Sequence, residues 1–171
     1  MVAAILMTQY LMRPRIAYVR SSDLISKYAG TIESHEVAQK TQDQRKANLD
    51  TLQGDYRRAM NIYNESYAKL SPAERSDRED YLAKHEQQIV SYAQEAGKMA
   101  EEEEEKLMQG VLSQINSFIA SYGKEHGYDM ILGTTAAGSL LYAEDGYDIT
   151  DEVLNILNAQ YKSTNATTAS R

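Results

Sequence analysis

Between Thr31 and Tyr122 the chain offers a helix almost nothing to break on. The stretch holds one proline, Pro72, and three glycines, Gly54, Gly97 and Gly110. Its other residues are helix formers or polar residues that a solvated helix tolerates. Ser71-Pro72 divides it, because serine suits a helix N-cap and proline the first helical position. The spacing therefore predicts two long helices joined by a tight reversal at 70–73, an antiparallel hairpin. At 1.5 Å per residue each limb would reach about 60–75 Å. A globule made from a chain of this size is only about 40 Å across. The hairpin is accordingly expected to project as an arm.

The arm carries its own seam. Leu49, Leu52, Tyr56, Ala59, Tyr63, Ser66 and Leu70 step by alternating threes and fours. On the return limb Leu82, His85, Ile89, Tyr92, Ala96 and Met99 do the same. Folding the chain about residue 71 sets the two rows side by side as a coiled coil. Thirteen tyrosines, one phenylalanine and no tryptophan suit such a seam, since a tyrosine packs its ring while keeping its hydroxyl wet. Both rows then give out: 38–46 read AQKTQDQRK and 100–106 read AEEEEEK. Pairing about residue 71 sets these stretches opposite each other, so the expectation is a polar waist. It is either a solvated spacer in which Lys40, Arg45 and Lys46 pair with the glutamates or a flexible point that splays, with Gly97 and Gly110 as the flexing positions.

Beyond the waist, Met108, Val111, Leu112, Ile115, Phe118, Ile119 and Tyr122 form a wider apolar face, as on a helix docked against a body. Gly123 and Gly127 mark that helix's exit. Ile16–Val19 reads as a strand, and Ser21-Ser22-Asp23 as caps for a short helix through Leu24, Ile25 and Tyr28 closed by Gly30. Residues 128–132 and 139–143 read as the two strands of a β-hairpin turned at GTTAAG. Asp148-Ile149-Thr150, followed by Asp151 and Glu152, opens a last amphipathic helix through Tyr161. The tail STNATTASR, 163–171, is expected to be disordered. Three short strands leave edges open on a small body, and pairing between copies of the chain would close them. The expected fold class is α+β, mostly α: a coiled-coil arm at 31–106 on a β-containing body built from 15–30 and 107–162.

Residues 1–12, MVAAILMTQYLM, are apolar but too short to span a membrane alone, and lack the basic start of a signal peptide. They are expected to be a cut-short signal or anchor, or a tail, and 1–14 are set aside from the fold. A net charge of −7 disfavours nucleic acid as a partner, and the absence of cysteine excludes disulfide and thiol chemistry. His35, His85 and His126 lie scattered, without carboxylate partners at metal-ligand spacing. GTTAAG lacks the Lys-Ser/Thr of a phosphate loop, and no serine, histidine and carboxylate set stands out. Catalysis, metal and cofactor are not expected.

With the elements in this order, RIAYVRSSDLISKYAG (15–30) and YDMILGTTAAGSLLYAEDGYDITDEVLNIL (128–157) resemble the Skp/OmpH-like periplasmic chaperone family. The long hairpin between them matches in kind. The resemblance implies a homotrimer whose strands share a barrel, with helical arms enclosing a cavity that holds unfolded outer-membrane proteins without ATP. The trimer contact would then fall on Ile16, Tyr18, Val19, Ile131, Leu140 and Tyr142. Known members are strongly basic, and at −7 this chain inherits no lipopolysaccharide site by resemblance. The rival from another class is a membrane-anchored coiled-coil spacer of the cell envelope, docking a partner at the tip near Leu70–Ala73. A cytosolic prefoldin-like chaperone is third.

Overall fold

The computed structural model describes residues 14–135 and 140–169, with side chains to residue 165. Residues 1–13, 136–139 (the end of the GTTAAG turn and the first residue of the strand expected after it) and 170–171 lie outside the described residues. Among the described residues the order is β1 (Ile16–Arg20), α1 (Ser21–Lys27), α2 (Ala29–Ser66), a 3-10 turn (Tyr67–Lys69), α3 (Pro72–His126), β2 (Met130–Thr134), a 3-10 turn (Asp145–Tyr147) and α4 (Thr150–Ala169). The chain separates into two compact units, one formed by the residues up to His35 with those from Leu107 onward, the other by Glu36–Lys106.

In the second unit α2 and α3 pair antiparallel. The reversal is set by a capping box: the Ser71 hydroxyl accepts from the Glu74 N–H at 3.3 Å, and the Glu74 carboxylate accepts from the Ser71 N–H at 2.8 Å. Arg75 then stacks over the Tyr67 ring, 4.2 Å from its centroid. Along the seam Tyr63 donates to the Glu79 carboxylate, and this bond, then burial, pushes its phenol up to about 12. His85 stacks between Tyr56 and Tyr81, at 6.3 and 5.6 Å between ring centroids.

The expected polar gap does not interrupt the seam. Ala38, Thr41 and Arg45 on α2, with Ala100 and Glu103 on α3, are half-buried and continue it. Arg45 grips Glu103 through both guanidinium nitrogens, one at 2.8 Å. That hydrogen bonding raises the Arg45 pKa and lowers that of Glu103. The gap was inferred because the phase changes there. Half-buried positions step by two consecutive fours, 41–45–49 on α2 and 92–96–100 on α3, a local lengthening of the heptad. Ala100 therefore takes the seam position expected for Met99, which is 45% exposed. Gly97 and Gly110 lie inside unbroken helix, and a Cβ on either would meet open space.

The first unit has a closed core. Ala17 and Val19 of β1, Leu24 of α1, Val111 and Ile115 of α3, and Val153 and Leu157 of α4 meet within it. β1 runs straight into α1, whose N-cap is Arg20 with no side-chain cap, so the serines expected as caps are not used. Helix restarts at Ala29, and Gly30 lies inside α2. Gly30 is required for space: a Cβ there would stand 2.6 Å from the Tyr28 ring. α3 ends at Gly127, φ 67°, in a Schellman motif with Tyr128 N–H bonded to the Gly123 carbonyl at 2.9 Å. Gly123, expected at the exit, is still helical and buried, pressed against the Ile131 side chain.

The sheet departs most from expectation. β2 pairs with β1, parallel, in register Ile16 with Met130 through Arg20 with Thr134. The second strand of the expected hairpin at 139–143 is not formed: Leu140–Ala143 carry no strand structure. A hairpin strand there would need the outer edge of β2, and the chain instead returns past it to β1. There Tyr18 bridges Asp148, and Ile149 N–H bonds the Tyr18 carbonyl at 3.1 Å. The expected disordered tail is also corrected, since α4 runs to Ala169. The Ser163 and Thr164 hydroxyls donate back to the Gln160 carbonyl, at 2.8 and 3.0 Å. Nothing in 163–169 is Gly or Pro, so nothing stops the helix.

Candidate functional site

The parallel register decides which side chains the sheet keeps and which it offers. Ala17, Val19 and Ile131 face the core. On the other face Ile16 and Met130 stand opposite each other, as do Tyr18 and Leu132. Ile16, Met130 and Leu132 are 39%, 51% and 40% exposed. Beyond β2, Leu141 and Tyr142 are exposed at 94% and 80%, and Tyr147 is half-exposed. On the sheet itself Ile16, Met130 and Leu132 form an exposed apolar group on one face.

Of the six residues expected at a contact between copies, Ile16 and Tyr18 lie on this face of the sheet, Tyr142 is exposed outside the strands, and Leu140 is half-buried. Val19, 2% exposed, is inside the monomer's core, and Ile131 packs on that core. Met130 and Leu132, outside the expected set, are exposed beside Ile16 and Tyr18. Alternation identifies two faces of a strand, but only the register with β1 says which is inward.

Polar contacts hold the rim of the sheet. Arg15 N–H bonds the Asp129 carboxylate at 2.7 Å, and the Arg15 guanidinium lies over the Tyr128 ring. Asp148 accepts from the Thr150 N–H at 2.9 Å, while Thr150 Oγ1 accepts from the Arg20 N–H at 2.9 Å. Burial pushes the Asp148 carboxyl up, but the Thr150 bonds, Arg20 and Tyr18 outweigh it and hold it below its ordinary value. Burial, then Asp148, raises the Tyr18 phenol.

A second feature lies between α3 and α4, a groove of about 770 Å³. Its floor is Tyr28, Phe118, Tyr122, Leu157 and Tyr161, and its walls carry Ser113, Ser117 and Gln160. The floor is fixed by paired hydroxyls. Tyr28 donates to Gln114 at 2.8 Å, Tyr122 to Glu152 at 2.7 Å and Tyr161 to Glu33 at 3.0 Å. Tyr28 meets Tyr161 edge to face at 5.4 Å, and His126 stacks on Tyr122 at 4.0 Å. Burial, then Glu152, raises the Tyr122 phenol, so the floor stays neutral. The sequence carries no signal for this groove, because Thr164 and Asn165 of its lining belong to the tail expected to be disordered.

No group of three or more His, Asp and Glu among the described residues could hold a metal ion. No helix among them is long and apolar enough to cross a membrane.

Comparison with known proteins addresses the fold and the family. The family model described as outer membrane protein (OmpH-like) matches residues 15–157. A crystal structure of a candidate outer membrane chaperone (OmpH-like) from Caulobacter crescentus CB15 superposes with a TM-score of 0.77, at 16% identity over 86% of each chain. At that identity the likeness is one of fold. No curated protein matches the chain.

Proposed function

Because the chain belongs to the OmpH-like outer membrane protein family, we propose that it is a periplasmic holdase. It would bind unfolded outer-membrane proteins and keep them from aggregating, without ATP or any cofactor. The observation that carries this reading is the exposed apolar surface of the body: one face of the sheet, and Leu141 and Tyr142 in the segment that follows β2. A surface of that kind serves either self-assembly or weak capture of other apolar chains, and a holdase needs both.

In this reading copies of the chain assemble as a homotrimer through the sheet face. Ile16, Tyr18 and Tyr142 are joined there by Met130 and Leu132. The helical hairpins of the copies flank the client, and Gly97 and Gly110 give them compliance. Affinity comes from many weak contacts held together, so no single residue dominates it.

Aggregation of a denatured outer-membrane β-barrel protein, followed by light scattering, tests the function. The purified chain is expected to suppress it at low micromolar concentration with no nucleotide present, and failure to do so removes the proposal. The assembly is tested by mass. A value near 19.3 kDa, that of one chain, overturns the trimer. A Met130→Asp, Leu132→Asp variant is expected to shift the assembly toward single chains.

A further inference from the structure

The groove between α3 and α4 has a composition the holdase reading does not require. Its floor is aromatic and apolar, its walls are hydroxyls and amides, and among the described residues it is lined by no lysine or arginine. Glu125 is its one lining carboxylate and His126 its one lining base. Two further carboxylates stand behind the floor, Glu152 under the Tyr122 hydroxyl and Glu33 under the Tyr161 hydroxyl. The nearby Arg15 does not offset them freely, since its guanidinium lies over the Tyr128 ring and donates to the His126 carbonyl. The potential inside is therefore negative, on a chain already at −7.

The walls have a second property. On α3, Ser113 and Ser117 recur at the helical repeat with small, exposed side chains, and of the floor Phe118 and Tyr161 remain part-exposed. On α4 the opposite wall is made by Gln160, Thr164 and Asn165. A volume of about 770 Å³ lies inside the range of roughly 300–1,000 Å³ typical of ligand pockets. Rings below with hydroxyls and amides on both sides suit an extended backbone, whose N–H and C=O groups point sideways while alternate side chains point down.

We propose that this groove seats a short extended segment of polypeptide, apolar or aromatic at alternate positions and basic in net charge. Acidic segments are excluded by Glu125 and the carboxylates under the floor. The identity of the segment as part of a held client rests on the holdase reading; the groove's preference for basic over acidic peptides does not.

The absence of tryptophan from the chain makes a direct test available, because tryptophan emission then reports the peptide alone. Two ten-residue peptides serve as probes, each alternating Phe and a charged residue with one Trp, the first with Lys and the second with Glu. The Lys peptide is expected to bind about tenfold more tightly than its Glu twin at low salt, with the difference shrinking as salt is added. Glu125→Lys should reduce that preference about threefold. Ser113→Tyr with Ser117→Tyr, which fills the groove from exposed positions, should weaken binding of the Lys peptide about tenfold.

Equal binding of the two peptides, or full binding by the filled variant, overturns the proposal. If the filled variant does not fold by circular dichroism, Glu125→Lys alone decides. A change in assembly mass on filling the groove, with peptide binding intact, would show it to be a contact between copies and also overturns the proposal. Peptide binding without suppression of client aggregation would sink the holdase reading and leave the groove standing. Suppression with no peptide preference does the reverse.

Discussion

The body unit and the hairpin unit use the same two helices to bury side chains in different ways. In the body Leu24, Val19 and Val153 are 1%, 2% and 0% exposed, enclosed by a sheet on one side and by α1, α3 and α4 on the others. Within Glu36–Lys106 only Tyr63 and Leu82 are buried, at 9% and 6%. Two helices share one seam, and every seam residue keeps an edge in water, so no amount of apolar sequence would close it. The hairpin fills that seam with groups that tolerate wetting. Arg45 pairs with Glu103, Tyr63 with Glu79 and Asn48 with Tyr92. The body is held by burial, the hairpin by thin packing and polar pairing.

The sharpest challenge to this contrast is a cavity in the body. Leu24→Ala should cost about 2–5 kcal/mol, because the space cannot refill from solvent. Hydrogen exchange should place the loss on amides of the body. An equal loss at 56–63 would show that the two units open as one and would end the contrast.

In the hairpin the corresponding change, Leu82→Ala, should cost about 2 kcal/mol, at the lower end for leucine because its neighbours are part-exposed. A loss matching that of Leu24→Ala would mean that the seam is better enclosed than its exposures indicate.

Removing one partner of the ion pair, Arg45→Ala, is expected to cost about 1–2 kcal/mol, since Glu103 keeps some access to water. Exchanging the pair, Arg45→Glu with Glu103→Arg, should recover most of it in a double-mutant cycle. Replacing both by Met and Leu should leave stability equal or higher while loosening the register. No recovery on exchange would show that the contact does not act as a pair.

The smallest effect is in pH. The bonds from Arg45 hold Glu103 below its ordinary pKa of 4.5, and those from Ser71 do the same for Glu74. A carboxylate depressed on folding contributes stability that is fully present above the unfolded value and lost as pH falls through the folded one. Hairpin stability should therefore be flat above about pH 5 and decline on acidification below the ordinary carboxylate range. Both groups are partly solvated, so the slope is small. The Arg45→Met, Glu103→Leu hairpin should lose part of it, and an unchanged slope would assign the effect elsewhere.

Much of this was readable along the chain. The breaker-free stretch and Ser71-Pro72 located α2, α3 and their reversal, and the stepping from Leu49 to Leu70 located the tip half of the seam. Leu24, Val111, Ile115 and Val153 were visible as body residues from their helical spacing. Pairing of Arg45 with a glutamate across the waist was also expected, and Glu103 supplies it. What was not readable was register: the seam changes phase at the waist without ending. The strand expected at 139–143 had suitable residues and no partner. The groove was hidden because Ser113, Ser117 and Gln160 carry no signal of their own.

Sequence by itself determined the local choices: where helix can run, where it must turn, and which stripes are apolar. Those depend on backbone freedom, caps and periodicity, all set by residues a few positions apart. The tertiary structure alone decided the parallel pairing of β1 with β2, and with it which of Val19, Ile131, Met130 and Leu132 are buried and which are exposed. It also decided that α4 continues far enough to wall a groove. Both depend on contacts between residues more than 100 positions apart, whose register no local propensity encodes.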